Sequence, residues 1–131
     1  MEIWALKVKL AVLWLLEEAT YLAYMTLGSL EPGAIERVIA GEIDGTQITP
    51  ELLLLLAIVL LVPIVMALFS LILKNSINRW TNIIVGIVFC ILELLALTTL
   101  SSAWAILMTL LKVVFALLIA LYAWKWPKQE A

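Results

Sequence analysis

Residues 51–73 read ELLLLLAIVLLVPIVMALFSLIL, a run with no charge after its first residue. A hydrocarbon core about 30 Å thick is crossed by roughly 20 apolar residues in a helix, so this stretch predicts a membrane span. The residues at its start suit a helix N-terminus: Thr49 can cap, Pro50 fits the first turn, and Glu51 favours the positive end of the helix dipole. Pro63 lies mid-span, where its ring removes one backbone bond and is expected to kink the helix, a defect that neighbouring helices make tolerable in lipid.

The same test finds three more spans, at about Leu10 to Leu30, Trp80 to Leu100 and Ala103 to Trp124. The whole chain has this character, with 66% hydrophobic and 14% charged residues, against roughly 45–50% and 25% in soluble domains. "TLSSAW" leaves almost no connection between spans three and four, which makes them an antiparallel hairpin of neighbours. The expected fold is all-α: one domain over residues 1–131, an integral membrane four-helix up-down bundle. Lys7 and Lys9 precede the first apolar stretch without a small-x-small cleavage site after it, so that stretch reads as a retained span.

Between spans one and two lies "EPGAIERVIAGEIDGTQITP", too polar to cross. Its "PGAIERVIAG" can make two helical turns with Ile35, Val38 and Ile39 on one side and Glu36 and Arg37 on the other, ending at Gly41. The expectation is a short external helix lying on the membrane surface, either as a connector shielding helix ends or as a lid.

Lysine and arginine set the topology. Lys7, Lys9, Lys74, Arg79, Lys125 and Lys128 flank the spans on one side; the other has Arg37 alone among Glu31, Glu36, Glu42, Asp44 and Glu51. This bias predicts a multi-pass protein of the cell membrane with both termini cytoplasmic. Trp4, Trp80, Trp124 and Trp126 would form the inner aromatic belt and Trp104 part of the outer one.

Four charges remain inside the spans: Glu17, Glu18, Glu93 and Lys112. Each is costly in lipid and should face the bundle interior, water or a partner. Glu93 and Lys112 lie at similar depth on neighbouring spans and predict an intramembrane ion pair, serving as a gate or as a lock on helix register. Small residues bracket both: Ala105, Thr109, Ala116, Ala120 and Ala123 around Lys112, and Asn82, Gly86 and Cys90 ahead of Glu93. Such stripes let helices approach closely.

On span one, Glu17 shares a face with Trp14, Tyr21 and Tyr24, a cluster that could pack or hold a flat cation beside an acid. Glu18 is turned away by about 100° and is expected to be merely accommodated, for instance by water in a cytoplasmic vestibule. Counted from Leu10, both lie some 6 to 8 Å nearer the cytoplasm than Lys112, at about 1.5 Å per residue. One amine cannot neutralise three carboxylates, so at least one acid should hold a proton or a cation.

The chain has no histidine and one cysteine, Cys90, which rules out an internal disulfide and argues against zinc and bis-histidine haem. No cofactor, metal or nucleic acid is expected. Nor is an enzyme, because no nucleophile stands beside a base. The expected function is binding or transport of a small solute or cation coupled to protonation of Glu17 and Glu18. The alternative is a non-transporting structural or accessory protein that binds lipid or a protein partner. Four helices enclose little volume, so a dimer or larger homo-oligomer suits either.

"LKVKLAVLW", "QITP", "NRWTNIIVG" and "YAWKWP", in that order along nearly the whole chain, resemble an uncharacterised family of small prokaryotic four-span integral membrane proteins. The resemblance implies four spans and carries no functional residue. "WLLEEAT" also resembles, as an analogy of mechanism, the small multidrug transporter family, in which a membrane-embedded glutamate of span one is essential. Glu17 or Glu18 would match it, while that family's glycine motif in span three is missing here.

Overall fold

A computed structural model describes residues 2–127. Its elements are α1 (Ile3–Ser29), α2 (Ala34–Ile39), β1 (Glu42–Ile43), β2 (Thr46–Gln47), α3 (Pro50–Ile72), α4 (Asn75–Leu97) and α5 (Ala103–Trp124). α1, α3, α4 and α5 are long and apolar enough to cross a membrane. By length and composition they mark a multi-pass membrane protein with an all-α bundle, as expected from hydropathy.

Two spans begin earlier than hydropathy indicates, at Ile3 instead of Leu10 and at Asn75 instead of Trp80. Polar residues end an apolar window without ending the helix, because their side chains find partners. Lys7 Nζ donates to the Leu73 carbonyl at 3.2 Å, and Asn78 Nδ2 donates to the Ser70 carbonyl at 2.8 Å. The Lys9 ammonium lies 5.7 Å from the Tyr122 ring centroid. Arg79 lies 5.2 Å from the Trp80 ring and 5.6 Å from the Trp124 ring, and donates to the Trp124 carbonyl.

The start of α3 follows its sequence, with Thr49 Oγ1 accepting from the Leu52 amide at 3.1 Å. The helix then continues through Pro63 to Ile72.

α1 packs between α3 and α5, and α5 between α1 and α4. α3 and α4 barely touch, although only Leu73 and Lys74 separate them in the chain. The α4–α5 contact is close at Gly86, where a Cβ would lie 3.2 Å from Ile119 Cγ2 and 3.4 Å from the Ala116 carbonyl oxygen. The small residue is therefore what brings the two backbones together.

The apolar core fills one half of the bundle. Leu6, Leu10, Leu13 and Trp14 of α1 meet Met66 and Ala67 of α3, Ile83 of α4, and Ile119 and Ala123 of α5. All lie toward the end that carries the termini. Trp126, assigned from sequence to the aromatic belt, instead packs into this core at 7% exposure, while Trp4, Trp80 and Trp124 are exposed. Lys128, counted with the cytoplasmic charges, lies outside the described residues.

At the opposite end, α2 leaves Ile35, Val38 and Ile39 uncovered by protein. A two-stranded hairpin that was not expected follows, pairing Glu42 with Gln47 and Ile43 with Thr46. Its turn residues, Asp44 and Gly45, have φ of 49° and 75°, the left-handed pair that a two-residue turn requires. Glu31 ties this end together: its Oε1 accepts from Trp104 Nε1 at 2.5 Å and from Ser102 Oγ at 3.1 Å.

Candidate functional site

The half of the bundle that the core leaves unfilled holds a cavity of about 730 Å³. α1 contributes Glu17, Glu18, Tyr21 and Tyr24; α4 contributes Phe89 and Glu93; α5 contributes Thr109 and Lys112. Asp44 of the hairpin turn and Thr99 and Leu100 beyond α4 also line it, so the cavity runs from mid-bundle to the loop end. A sequence window cannot show this, because the lining comes from four helices and two loops far apart in the chain.

Among the described residues, Lys112 is the one cation lining this cavity. Its Nζ lies 3.9 Å from Glu93 Oε1, at the limit of an ion pair, and 4.2 Å from the Tyr21 ring centroid, where the π face attracts it. Tyr21 lies 6.4 Å from Tyr24, and Tyr24 lies 5.4 Å from Trp104, a row of rings leading toward the loop end.

The Glu17 and Glu93 carboxyl groups face each other within side-chain hydrogen-bonding reach. Two carboxylates are both acceptors, so this contact becomes a bond only when one of them carries a proton. No donor among the described residues bonds either oxygen of Glu17, either oxygen of Glu93, or Glu18 Oε2. Buried polar oxygens are ordinarily satisfied. Five unsatisfied oxygens around one cavity are thus free, by their chemistry, to take a proton, water or a cation.

Three expectations are corrected here. Glu17 is not shallower than Glu93 but faces it, because the first residues of α1 and α4 do not mark one common depth; the Lys112 ammonium sits over Tyr21, one turn farther from the termini than Glu17. Glu18 is not set apart from Glu17: both are buried, at 6% and 1% exposure, and both line the cavity. α1 has neighbours on two sides, so two directions about 100° apart both point inward. Finally, the space does not open as a vestibule on the side of the termini, which the apolar core fills.

Trp14 does not line the cavity. Fully buried, it stacks edge-on against Phe89 at 5.4 Å and donates from Nε1 to Asn82 Oδ1 at 2.7 Å. Asn82 Oδ1 also accepts from Ser70 Oγ at 3.2 Å, and Asn82 Nδ2 donates to Asn78 Oδ1 at 2.7 Å. Trp14, Ser70, Asn78 and Asn82 are all at 0% exposure, and together they form a polar plug between the cavity and the end that carries the termini.

Ser70, Asn78 and Asp44 were missed from sequence. "NRWTN" sets Asn78 and Asn82 one helical turn apart, a visible signal, and "DG" is the ordinary mark of a hairpin turn. Nothing in the sequence marks Ser70.

No curated protein and no solved structure matches the chain. The model of one family, described as a family of unknown function (DUF6326), matches residues 3–131. That agrees with the uncharacterised family suggested by the four short motifs and leaves the likeness to small multidrug transporters as an analogy. With the match running from the first turn of α1 to the last residue, the chain belongs to the DUF6326 family of unknown function.

Proposed function

We propose that this protein binds a small cationic solute at Glu17, Glu18 and Glu93 and moves it across the cell membrane in exchange for protons. The supporting observation is the set of five carboxyl oxygens without donors around one lysine, in a cavity that reaches one end of the bundle. A cation entering there would replace the proton between Glu17 and Glu93 and satisfy oxygens that the described residues leave unpaired.

In this reading the termini are cytoplasmic, as the lysine and arginine bias favours, and the cavity faces outward. The plug of Trp14, Ser70, Asn78 and Asn82 would be the closed inner barrier of an alternating-access cycle, with the binding site near the bilayer midplane. Lys112 would hold the empty site together through Glu93 and Tyr21 and yield to the cation. The role is non-enzymatic, the surrounding partner is lipid, and a homo-oligomer would shield more of the bundle.

The test is flux in proteoliposomes. A proton gradient should drive uptake of a small organic cation, and Glu17→Gln should abolish it. Uptake that survives Glu17→Gln and Glu93→Gln unchanged would overturn the proposal.

A further inference from the structure

The charged cavity adjoins a second, apolar space along its α3–α4 flank. Ile58 and Val62 of α3 line both that cavity and a second space of about 370 Å³ on the seam between α3 and α4. This groove continues along α3 past Val65 to Phe69 and is faced on α4 by Thr81 and Val85. From Val62 to Phe69 it extends about 10 Å at 1.5 Å per residue, toward the end that carries the termini. α3 and α4 touch little along this seam, and Ile58, Leu61 and Val65, which line the groove, are exposed at the surface that would face lipid.

We infer that the ligand is an amphiphilic organic cation with a single alkyl tail, whose ammonium head sits among Glu17, Glu93 and Tyr21 while its tail lies in the α3–α4 groove. The inference rests on the cation-binding reading of the carboxyl cluster. A bare, hydrated ion gains nothing from an apolar extension of its site, whereas each tail methylene laid in the groove leaves water. Charge selects the head. Among the described residues, Glu17, Glu18, Glu93 and Asp44 line the cavity against Lys112 alone, so an anionic head would face an excess of like charge. The Tyr21 ring face, which already holds an ammonium at 4.2 Å, suits a quaternary ammonium equally. The gap between α3 and α4 also gives such a molecule a sideways path from the bilayer, with the tail never crossing the polar end of the cavity.

The experiment is a titration of the protein in lipid nanodiscs with alkyltrimethylammonium ions from tetramethylammonium to octyltrimethylammonium, followed by tryptophan fluorescence. Specific binding is the part that Glu17→Gln removes. Affinity should rise by up to about fourfold per added methylene, as burial of apolar surface implies. Val85→Trp, which fills the groove from α4, should flatten that rise and leave tetramethylammonium affinity unchanged; Val65→Trp does the same from α3 if the first variant does not fold. Glu17-dependent binding that is indifferent to tail length overturns the amphiphile and keeps the cation site. Absence of Glu17-dependent binding of any member, tetramethylammonium included, overturns the cation site itself. A change of oligomeric mass on Val85→Trp with the tail dependence intact assigns the groove to a second copy of the chain and overturns the tail placement.

Discussion

The Lys112 ammonium lies over the Tyr21 ring, 4.2 Å from its centroid, and only 3.9 Å from the nearest oxygen of Glu93. The cation is thus held by a π face on α1 and a carboxyl on α4, linking three helices at the wall of the cavity. Removing the ring should release it: Tyr21→Leu is expected to lower stability in detergent by about 1 kcal/mol, within the range of partly desolvated cation–π contacts. Tyr21→Phe keeps the face and should match the parent melting temperature.

The Glu93–Lys112 pair predicts a non-additive result. Lys112→Met leaves Glu93 without the cation that faces it and should cost about 3 kcal/mol, as for a buried pair stripped of one partner. Adding Glu93→Gln to it should recover part of that loss. Thermal unfolding of the two single variants and the double variant measures the coupling.

Asn82 joins Trp14, Ser70 and Asn78 in the plug, with every member fully buried. Asn82→Leu strands the Trp14 indole N–H and Asn78 Oδ1, and is expected to cost about 2–3 kcal/mol, the penalty of buried groups left without partners. Trp14→Phe gives up one bond and should cost less than Asn82→Leu. Equal melting temperatures for the two would count against the network.

Gly86 fixes the separation of α4 and α5. Gly86→Val places methyl groups against Ile119 and the Ala116 backbone and should destabilise by about 1–3 kcal/mol, as overpacking does. The same change at Gly28, where a Cβ would meet Trp104 at 3.6 Å, should be milder.

The four spans were legible because hydropathy responds to composition. Their ends were not, because Lys7, Lys9, Asn78 and Arg79 look like span limits until their partners are known. Glu17, Glu93 and Lys112 stood out as charges in apolar runs, and the depth of Glu17 against Glu93 was misjudged because residue counts along α1 and α4 do not start from one common plane. Glu18 was set aside on the premise that a helix has one interior direction, which fails for a helix packed on two sides. Which half of the bundle is filled depends on Leu6, Leu10, Trp14, Met66 and Ile119 meeting across four elements. No single stretch of sequence carries that information.

The facing carboxyls of Glu17 and Glu93 hold the central claim, that a proton and a cation compete for one place. The direct measurement is proton release from the protein in weakly buffered detergent solution when tetramethylammonium is added, read with a pH-indicating dye. Release should keep step with binding, weaken as the starting pH is lowered because protons then hold the site, and vanish in Glu17→Gln. Binding with no proton released, or release that persists in Glu17→Gln, would mean that the two ligands do not share these carboxyls.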